Sequence, residues 1–382
     1  AFRQTFAYYG SPRLVAGKAW RALRQEGWQG VLRRAKTILQ TVGAADLAHG
    51  WAGPVRGLFD VPLPSDATFS PLVSVIVPNF NHAKYLRERL DTIYRQDYPN
   101  FEVILLDDAS SDDSVSVLRE YVDRHAANTS LHVNDENSGG VFHQWKKGLA
   151  LARGDLIWIA ESDDYCDPTH LSELVRFFRN EAVMLAFCRS EFVRGDQSKT
   201  EWSTDEALAD CLGSVVRKPF VQSAHRLVNH AWGKKNLVVN ASSAVFRHPG
   251  TLPLLDDEEW TRLRLCGDWI FYLHLIRGGL VGYTPDTTNY YRQHGEGTSF
   301  QVRQRDTYYS EFEAVARTVL ELYRIDTDIL ASQRQALYAE WCIARGAKAE
   351  AEFVALYDLE RVRSAAGTRA PNVLMAGFAL IA

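Results

Sequence analysis

The sequence predicts an α/β protein with a mostly parallel central sheet flanked by helices, carrying helical extensions at its N- and C-terminal ends. Three observations predict it. Short apolar runs alternate with stretches of helical periodicity from position 72 to position 160, the pattern of parallel strands joined by crossover helices. Several of these runs end in polar clusters, as strands feeding a ligand-binding edge do. After about position 300 only helical spacing remains.

Each element has its own signal. Between Ser11 and Val42 the apolar positions Val15, Ala19, Leu23, Val31, Ala35, Ile38 and Leu39 recur at helical spacing with basic residues between them, which predicts one or two amphipathic helices broken near Gly27 or Gly30. Arg3, Arg13, Lys18, Arg21, Arg24, Arg33, Arg34 and Lys36 face only Glu26 and Asp46 there. Such a basic helix either packs on the neighbouring domain or docks on the anionic inner face of a cell membrane. A linker with Gly53, Pro54, Gly57, Pro62, Pro64 and Pro71 comes next.

Leu72–Val77 is a β-branched run stopped by Pro78, as a buried parallel strand should be. Tyr85–Arg95 is helical, and Phe101–Leu106 is a second strand ending in Asp107-Asp108. Ser114–His125 is a helix, Leu131–Val133 a strand, Val141–Ala152 a helix, and Leu156–Ala160 a strand running into Glu161. Tyr309–Tyr323 and Ile329–Ala344 are the clearest later helices. The organisation is a basic N-terminal segment over 1–70, a sheet domain over 71–300 and a helical region over 301–382.

Composition bounds the function. The 382 residues, 46% hydrophobic and 24% charged, belong to an ordinary globular protein able to bury a large core. A net charge of -4 gives no reason to expect nucleic acid as a partner. Cys166, Cys188, Cys211, Cys266 and Cys342 are odd in number and widely spaced, which favours a reducing cytoplasm over a disulfide framework or zinc site. No apolar run is long enough to cross a bilayer. The chain starts without Met and ends in the apolar stretch Val373–Ala382, which reads as a piece of a longer polypeptide with other domains as partners.

Three polar clusters, Asn79-Phe80-Asn81, Asp107-Asp108-Ala109-Ser110 and Glu161-Ser162-Asp163-Asp164, fall at strand ends and so converge on one sheet edge. Glu161 and Asp163, one residue apart, can present oxygens to a hard cation that keeps positions open for diphosphate oxygens. Equally, Asp163 or Asp164 can simply cap the helix beginning near Pro168. Asp268, at the start of an apolar, aromatic helix, is either a cap or a base. Arg292 and His294 together suit a phosphate site.

Read together, Pro71–Asn81, Leu105–Asp112, Asn137-Ser138-Gly139-Gly140, Ala152-Arg153-Gly154-Asp155 and Glu161–Asp164 resemble, in order and spacing, family 2 glycosyltransferases of the GT-A fold. The resemblance covers roughly Pro71 to Ser299. It implies that Pro78, Asn79 and Phe80 flank a nucleotide base and that Asp108 accepts from it. Asp163 becomes a metal ligand, with Glu161 as a ribose or second metal contact; Glu stands where the family has Asp. Asp268 becomes the catalytic base, and His294 reaches the metal or the diphosphate. Asn240–Ser243 lies near sugar or acceptor, or is only a turn into a strand.

The function so implied is inverting, metal-dependent transfer of a hexosyl or deoxyhexosyl unit in bacterial surface-polysaccharide (O-antigen or capsule) synthesis. The donor would be a UDP-, GDP- or dTDP-sugar, the cation Mn²⁺ or Mg²⁺, and the acceptor a glycan or lipid-linked glycan. A catalytically silent module of the same fold, binding glycan or organising partner domains, is the alternative. A dinucleotide-binding dehydrogenase is excluded, because Pro78-Asn79-Phe80-Asn81 stands where Gly-x-Gly-x-x-Gly would be needed.

Overall fold

The computed structural model describes residues 69–294, 306–325, 327–345 and 350–368. The basic helices expected before position 43, the Gly295–Ser299 loop and the apolar C-terminal stretch therefore lie outside the described residues.

The first half alternates as the sequence predicts. Strand β1 (Val73–Asn79) leads to helix α1 (Ala83–Tyr94), β2 (Phe101–Asp107), α2 (Ser114–Arg124), β3 (Thr129–Val133), α3 (Val141–Leu151) and β4 (Leu156–Ile159). Next come β5 (Tyr165–Cys166), α4 (His170–Val175), β6 (Val183–Arg194), β7 (Lys199–Ser203), β8 (Phe220–Ser223) and β9 (Ala244–Arg247). The last elements are α5 (Gly267–Leu275), β10 (Leu280–Gln293), α6 (Asp306–Leu322), α7 (Thr327–Arg345), α8 (Glu350–Leu356) and α9 (Leu359–Thr368).

The ten strands form one sheet in the order β3-β2-β1-β4-β9-β6-β10-β5, with β7 on β6 and β8 on β10. Strands β3, β2, β1 and β4 are parallel, and β6 and β10 are parallel to each other. Between these two sets β9 runs antiparallel to both β4 and β6.

Alternation of side chains along each strand divides the apolar residues between two cores. Ile76, Ile104, Leu106, Ile157 and Ile159 face Trp145 and Leu149 of α3. Val75, Val77, Leu105 and Trp158 face Leu86 and Leu90 of α1 and Leu118 of α2. Both faces being covered, the central strands are apolar throughout rather than alternating, as buried parallel strands are. The first core continues without a break into Tyr309, Leu337 and Phe353, so the C-terminal helices share it.

The Arg153-Gly154-Asp155 turn before β4 is tied to β1 and β2. Ser74 Oγ donates to Glu102 Oε1 at 2.7 Å, the Arg153 amide donates to the same oxygen at 2.9 Å, and the Gly154 amide donates to Ser74 Oγ at 2.8 Å. A Cβ on Gly154 would lie 2.6 Å from Ser74 N and 2.7 Å from Leu72 O, backbone atoms in and just before the buried strand β1. Gly154→Ala is accordingly expected to lower stability by about 1–3 kcal/mol through forced separation of β1 and β4, read as a lower urea midpoint at unchanged slope.

Candidate active site

The carboxyl ends of β1, β2 and β4 meet, and their loops are cross-tied. Asn79 Nδ2 donates to Asp107 Oδ2 at 2.8 Å, and the Asn81 amide donates to Ser110 Oγ at 2.9 Å. Ala109 adopts φ 61°, in the left-handed region that L residues with a Cβ seldom enter; such strain gathers at functional loops. Asn79 is buried while the ring of Phe80 is 46% exposed at this edge, which leaves it open to stack on a planar ligand.

Strand β5 fixes the position of the Glu161–Asp164 turn. It pairs antiparallel with β10 through Tyr165–Tyr290 and Cys166–Asn289, which lays the turn against Arg292 and His294. His294 Nε2 lies 2.9 Å from Asp163 Oδ2. His82, at the entry to α1, joins them: ligand atoms of His82, Asp163 and His294 all lie within 4.8 Å of one another. His82 is held by its own backbone, whose carbonyl accepts from the Tyr85 and Leu86 amides at 2.8 and 3.1 Å, and by its Nδ1, 2.8 Å from Ser162 Oγ. No sequence motif pointed to it.

Electrostatics differ across the turn. Burial pushes the Asp163 carboxyl up, but the hydrogen bond with His294 and the charges of His82 and His294 outweigh it and hold the group below its ordinary value. Glu161 is raised to about 8 and Asp164 to about 7, first by burial and then by the Asp163 charge. A bound cation would reverse these shifts. The Glu161 carboxylate accepts from the Trp145 indole at 3.1 Å. Asp164 caps no helix; its Oδ1 accepts from the Arg292 amide at 3.0 Å.

Arg292 and Asp108 are both engaged by groups of the protein. The Arg292 guanidinium is turned to the protein: Nε donates to the Asp163 carbonyl at 2.8 Å, Nη1 to the Gly195 carbonyl at 3.1 Å, and Nη2 to Glu88. With its side chain only 2% exposed, Arg292 staples the acidic turn. Asp108 is likewise engaged, its Oδ1 accepting from Asn134, the Ser138 amide and Gln144 at 2.7, 2.9 and 2.7 Å. It orders the Asn137–Gly140 turn, its Oδ2 accepting from Ser138 Oγ at 2.8 Å.

Asp268 stands across the same cleft, a space of about 1640 Å³ whose walls include Asp163, Glu161, His294, Asn240 and Asp268. It lies in the first turn of α5 and is not its N-cap, which is Cys266 without a side-chain cap bond. Its Oδ1 accepts from the Trp269 amide at 2.6 Å and its Oδ2 from Asn236 at 3.1 Å. Burial raises this carboxyl to about 7, placing it where a group can exchange protons near neutrality. Asn236 is in turn fixed by the Trp232 indole and the Val238 amide, both 3.2 Å from its Oδ1.

A further carboxylate supports this wall from α6. Glu311, 4% exposed, accepts from the backbone amides of Arg264, Leu265 and Cys266 at 2.7, 2.8 and 2.8 Å. It therefore fixes the segment immediately before Asp268. Neither Asn236 nor Glu311 carries a sequence signal, because each works through a partner distant along the chain.

Comparison with known proteins agrees with this architecture. Residues 74–248 match the sequence model of Glycosyl transferase family 2. The chain is 39% identical over 95 residues to glycosyltransferase GlyG of Streptococcus pneumoniae, covering 25% of this chain and 31% of GlyG. It is 34% identical over 106 residues to the poly(ribitol-phosphate) beta-N-acetylglucosaminyltransferase TarS of Staphylococcus aureus, covering 27% of this chain and 18% of TarS. These curated relatives are thus matched over less than a third of their own length. The crystal structure of residues 1-349 of TarS with UDP-GlcNAc superposes with a TM-score of 0.56 at 20% identity, covering 76% of this chain and 83% of that one.

The fold these features define is the GT-A fold. Within the chain, residues 74–248 are the part similar to glycosyltransferase family 2.

Proposed function

We propose that the chain transfers a sugar from a nucleotide-diphosphate donor to a hydroxyl of a glycan acceptor, with inversion at the anomeric carbon, in the assembly of a bacterial surface polysaccharide. The observation that carries this reading is one cleft with two unlike ends: an imidazole–carboxylate cluster suited to a divalent cation, and a lone carboxylate poised near neutrality. The match to the family model supports it, as does the occurrence of named bacterial glycosyltransferases among the relatives.

The roles follow from chemistry. Asp268 takes the proton of the acceptor hydroxyl as that oxygen attacks the anomeric carbon; the bond to the diphosphate breaks on the opposite face, and a single displacement inverts configuration. No second carboxylate is needed as nucleophile, in contrast to retaining hydrolases. Asp163 and His294 would hold a divalent cation, Mn²⁺ or Mg²⁺, and their fit is supported by the convergence of ligand atoms of His82, Asp163 and His294 within 4.8 Å of one another. Such a cation neutralises charge developing on the leaving diphosphate. Phe80 stacks on the base, and Asn236 and Glu311 hold Asp268 in place.

The setting is also part of the proposal. All five cysteines are free, and among the described residues no helix is long and apolar enough to cross a membrane. We assign the activity to the cytoplasm, at the inner face of the membrane where the basic N-terminal segment would touch anionic lipid.

The test is a thermal-shift screen of UDP-, GDP- and dTDP-sugars with Mn²⁺, followed by NMR of the anomeric proton of the product formed on glycan acceptors. A donor-dependent shift and a product of opposite anomeric configuration are expected. A product of retained configuration would overturn inversion, and binding of glycan with no response to any donor would favour the silent module.

Glu311→Gln offers a finer expectation. The negative charge of Glu311 raises the Asp268 carboxyl, so neutralising it moves the acidic limb of the kcat/KM–pH profile to lower pH. One or more of the three amides also loses its carboxylate acceptor, which lowers kcat and reduces stability by about 1–3 kcal/mol. An unmoved acidic limb with reduced stability would leave Glu311 a purely structural residue.

A further inference from the structure

The cluster at the end of β4 contains one more nitrogen ligand than the family resemblance supplies. Resting on the reading of this cleft as a cation site, we propose that His82 is a third protein ligand, so that the site offers two imidazoles and one carboxylate and selects a first-row transition-metal ion over Mg²⁺.

Three features of the geometry carry this. First, ligand atoms of His82, Asp163 and His294 come from three separate segments, yet lie within 4.8 Å of one another. Adjacent ligands on one cation with bonds of about 2.1 Å sit about 3 Å apart, and His294 Nε2 and Asp163 Oδ2 already stand at 2.9 Å. Small movements of the His82 ring complete the set.

Second, His82 is oriented as metal-bound histidines are. One ring nitrogen, Nδ1, is 2.8 Å from Ser162 Oγ, an outer hydrogen bond that fixes the ring and leaves the other nitrogen's lone pair for the cation. Ser162 belongs to the same turn as Asp163, so the carboxylate ligand and the support of the imidazole ligand are placed by one loop. Third, the rings of His82 and His294 lie with centroids 5.6 Å apart and planes at 87°, a spacing that two imidazoles sharing one cation can adopt. His294 itself is 8% exposed.

The donor set decides the metal. Carboxylate, carbonyl and water oxygens suit Mg²⁺, whereas imidazole nitrogens favour transition metals, with affinity rising from Mn²⁺ to Co²⁺. Two nitrogens in three protein ligands therefore penalise Mg²⁺, which dehydrates reluctantly and seeks oxygen.

The experiment is calorimetric titration of the metal-free purified chain with MgCl₂, MnCl₂ and CoCl₂, without nucleotide, alongside pulsed electron spin echo of the Mn²⁺ complex. Wild type is expected to bind Mn²⁺ at least tenfold more tightly than Mg²⁺ and Co²⁺ more tightly still, with echo modulation from two directly bound nitrogens. His82→Ala is expected to lose tenfold or more in Mn²⁺ affinity, to change Mg²⁺ affinity less than twofold, and to show one bound nitrogen. Equal Mg²⁺ and Mn²⁺ affinity in wild type, or one bound nitrogen there, overturns the proposal without reference to any variant's folding. Asp163→Asn separates the two levels: if it abolishes Mn²⁺ binding while His82→Ala does not weaken it, only the role of His82 fails. If neither changes binding, the cation reading of the cleft fails with it.

Discussion

Asp268→Asn is expected to lower kcat for sugar transfer by about 10²–10⁴, the usual contribution of a positioned general base, while leaving donor affinity within twofold. Asn fills the same space and its Oδ1 can still accept from the Trp269 amide, which Asp268 holds at 2.6 Å. What it lacks is a site for the acceptor's proton. Because burial raises the Asp268 carboxyl to about 7, wild-type kcat/KM should fall about tenfold per unit as pH drops below 7, and the residual activity of the variant should lose this limb. The sign of the stability effect is the reverse of that for a salt-bridged carboxylate. The native state holds the proton more tightly than the unfolded chain, whose ordinary value is 3.8, so stability declines as pH rises from about 4 to about 7. Asn carries no such charge, and at pH 8 the variant should melt no lower than wild type. Loss of activity together with a lower melting temperature would point to a structural role, and full activity would remove Asp268 as the base.

How much of the fold and site is legible in the sequence depends on the range of the interactions. The parallel strands β1 to β4 and their helices can be read because burial on both faces leaves continuous apolar runs, and the polar clusters ending three of them stand out against that background. The antiparallel strand β9 and the long parallel pair of β6 and β10 are not visible there as a sheet. Their residues alternate less cleanly, and β10 shifts register between Thr284 and Thr288. Pairing of β5 with β10 is what carries Arg292 and His294 to the acidic turn, a contact that no local pattern encodes.

The same limit governs individual residues. Asp163, Asp268 and His294 can be named because motifs surround them. Arg292 can be named but not understood: sequence shows a cation near a metal motif, whereas only the fold reveals Glu88 and two backbone carbonyls taking its donors. His82 and Glu311 cannot be named at all, since a histidine after a turn and a glutamate in a helix are ordinary until the chain brings Ser162 to one and three amides to the other.

Asp163→Asn is expected to weaken cation-dependent donor binding by at least about 100-fold, since losing even an outer partner of a metal ligand costs 10–100-fold. Asn preserves the size of the side chain and its contact with His294, 2.9 Å away in wild type, but removes the full charge a cation needs. The same charge raises the carboxyls of Glu161 and Asp164. Removing it relieves repulsion within the turn but also forfeits the stabilisation that holds the Asp163 carboxyl below its ordinary value, so the melting temperature of the variant is measured alongside. Loss of binding by a variant that is folded at the titration temperature cannot be attributed to unfolding. A chelator provides the internal comparison: wild type in EDTA should bind donor as weakly as the variant does with Mn²⁺, and EDTA should change the variant little. Calorimetric titration with the donor found in the screen measures all four conditions. Donor affinity that is equal in wild type and variant, or equally chelator-sensitive in both, would move the cation to other ligands. In that event the raised carboxyl of Glu161 and its bond to Trp145 would have to be reconsidered as the alternative anchor.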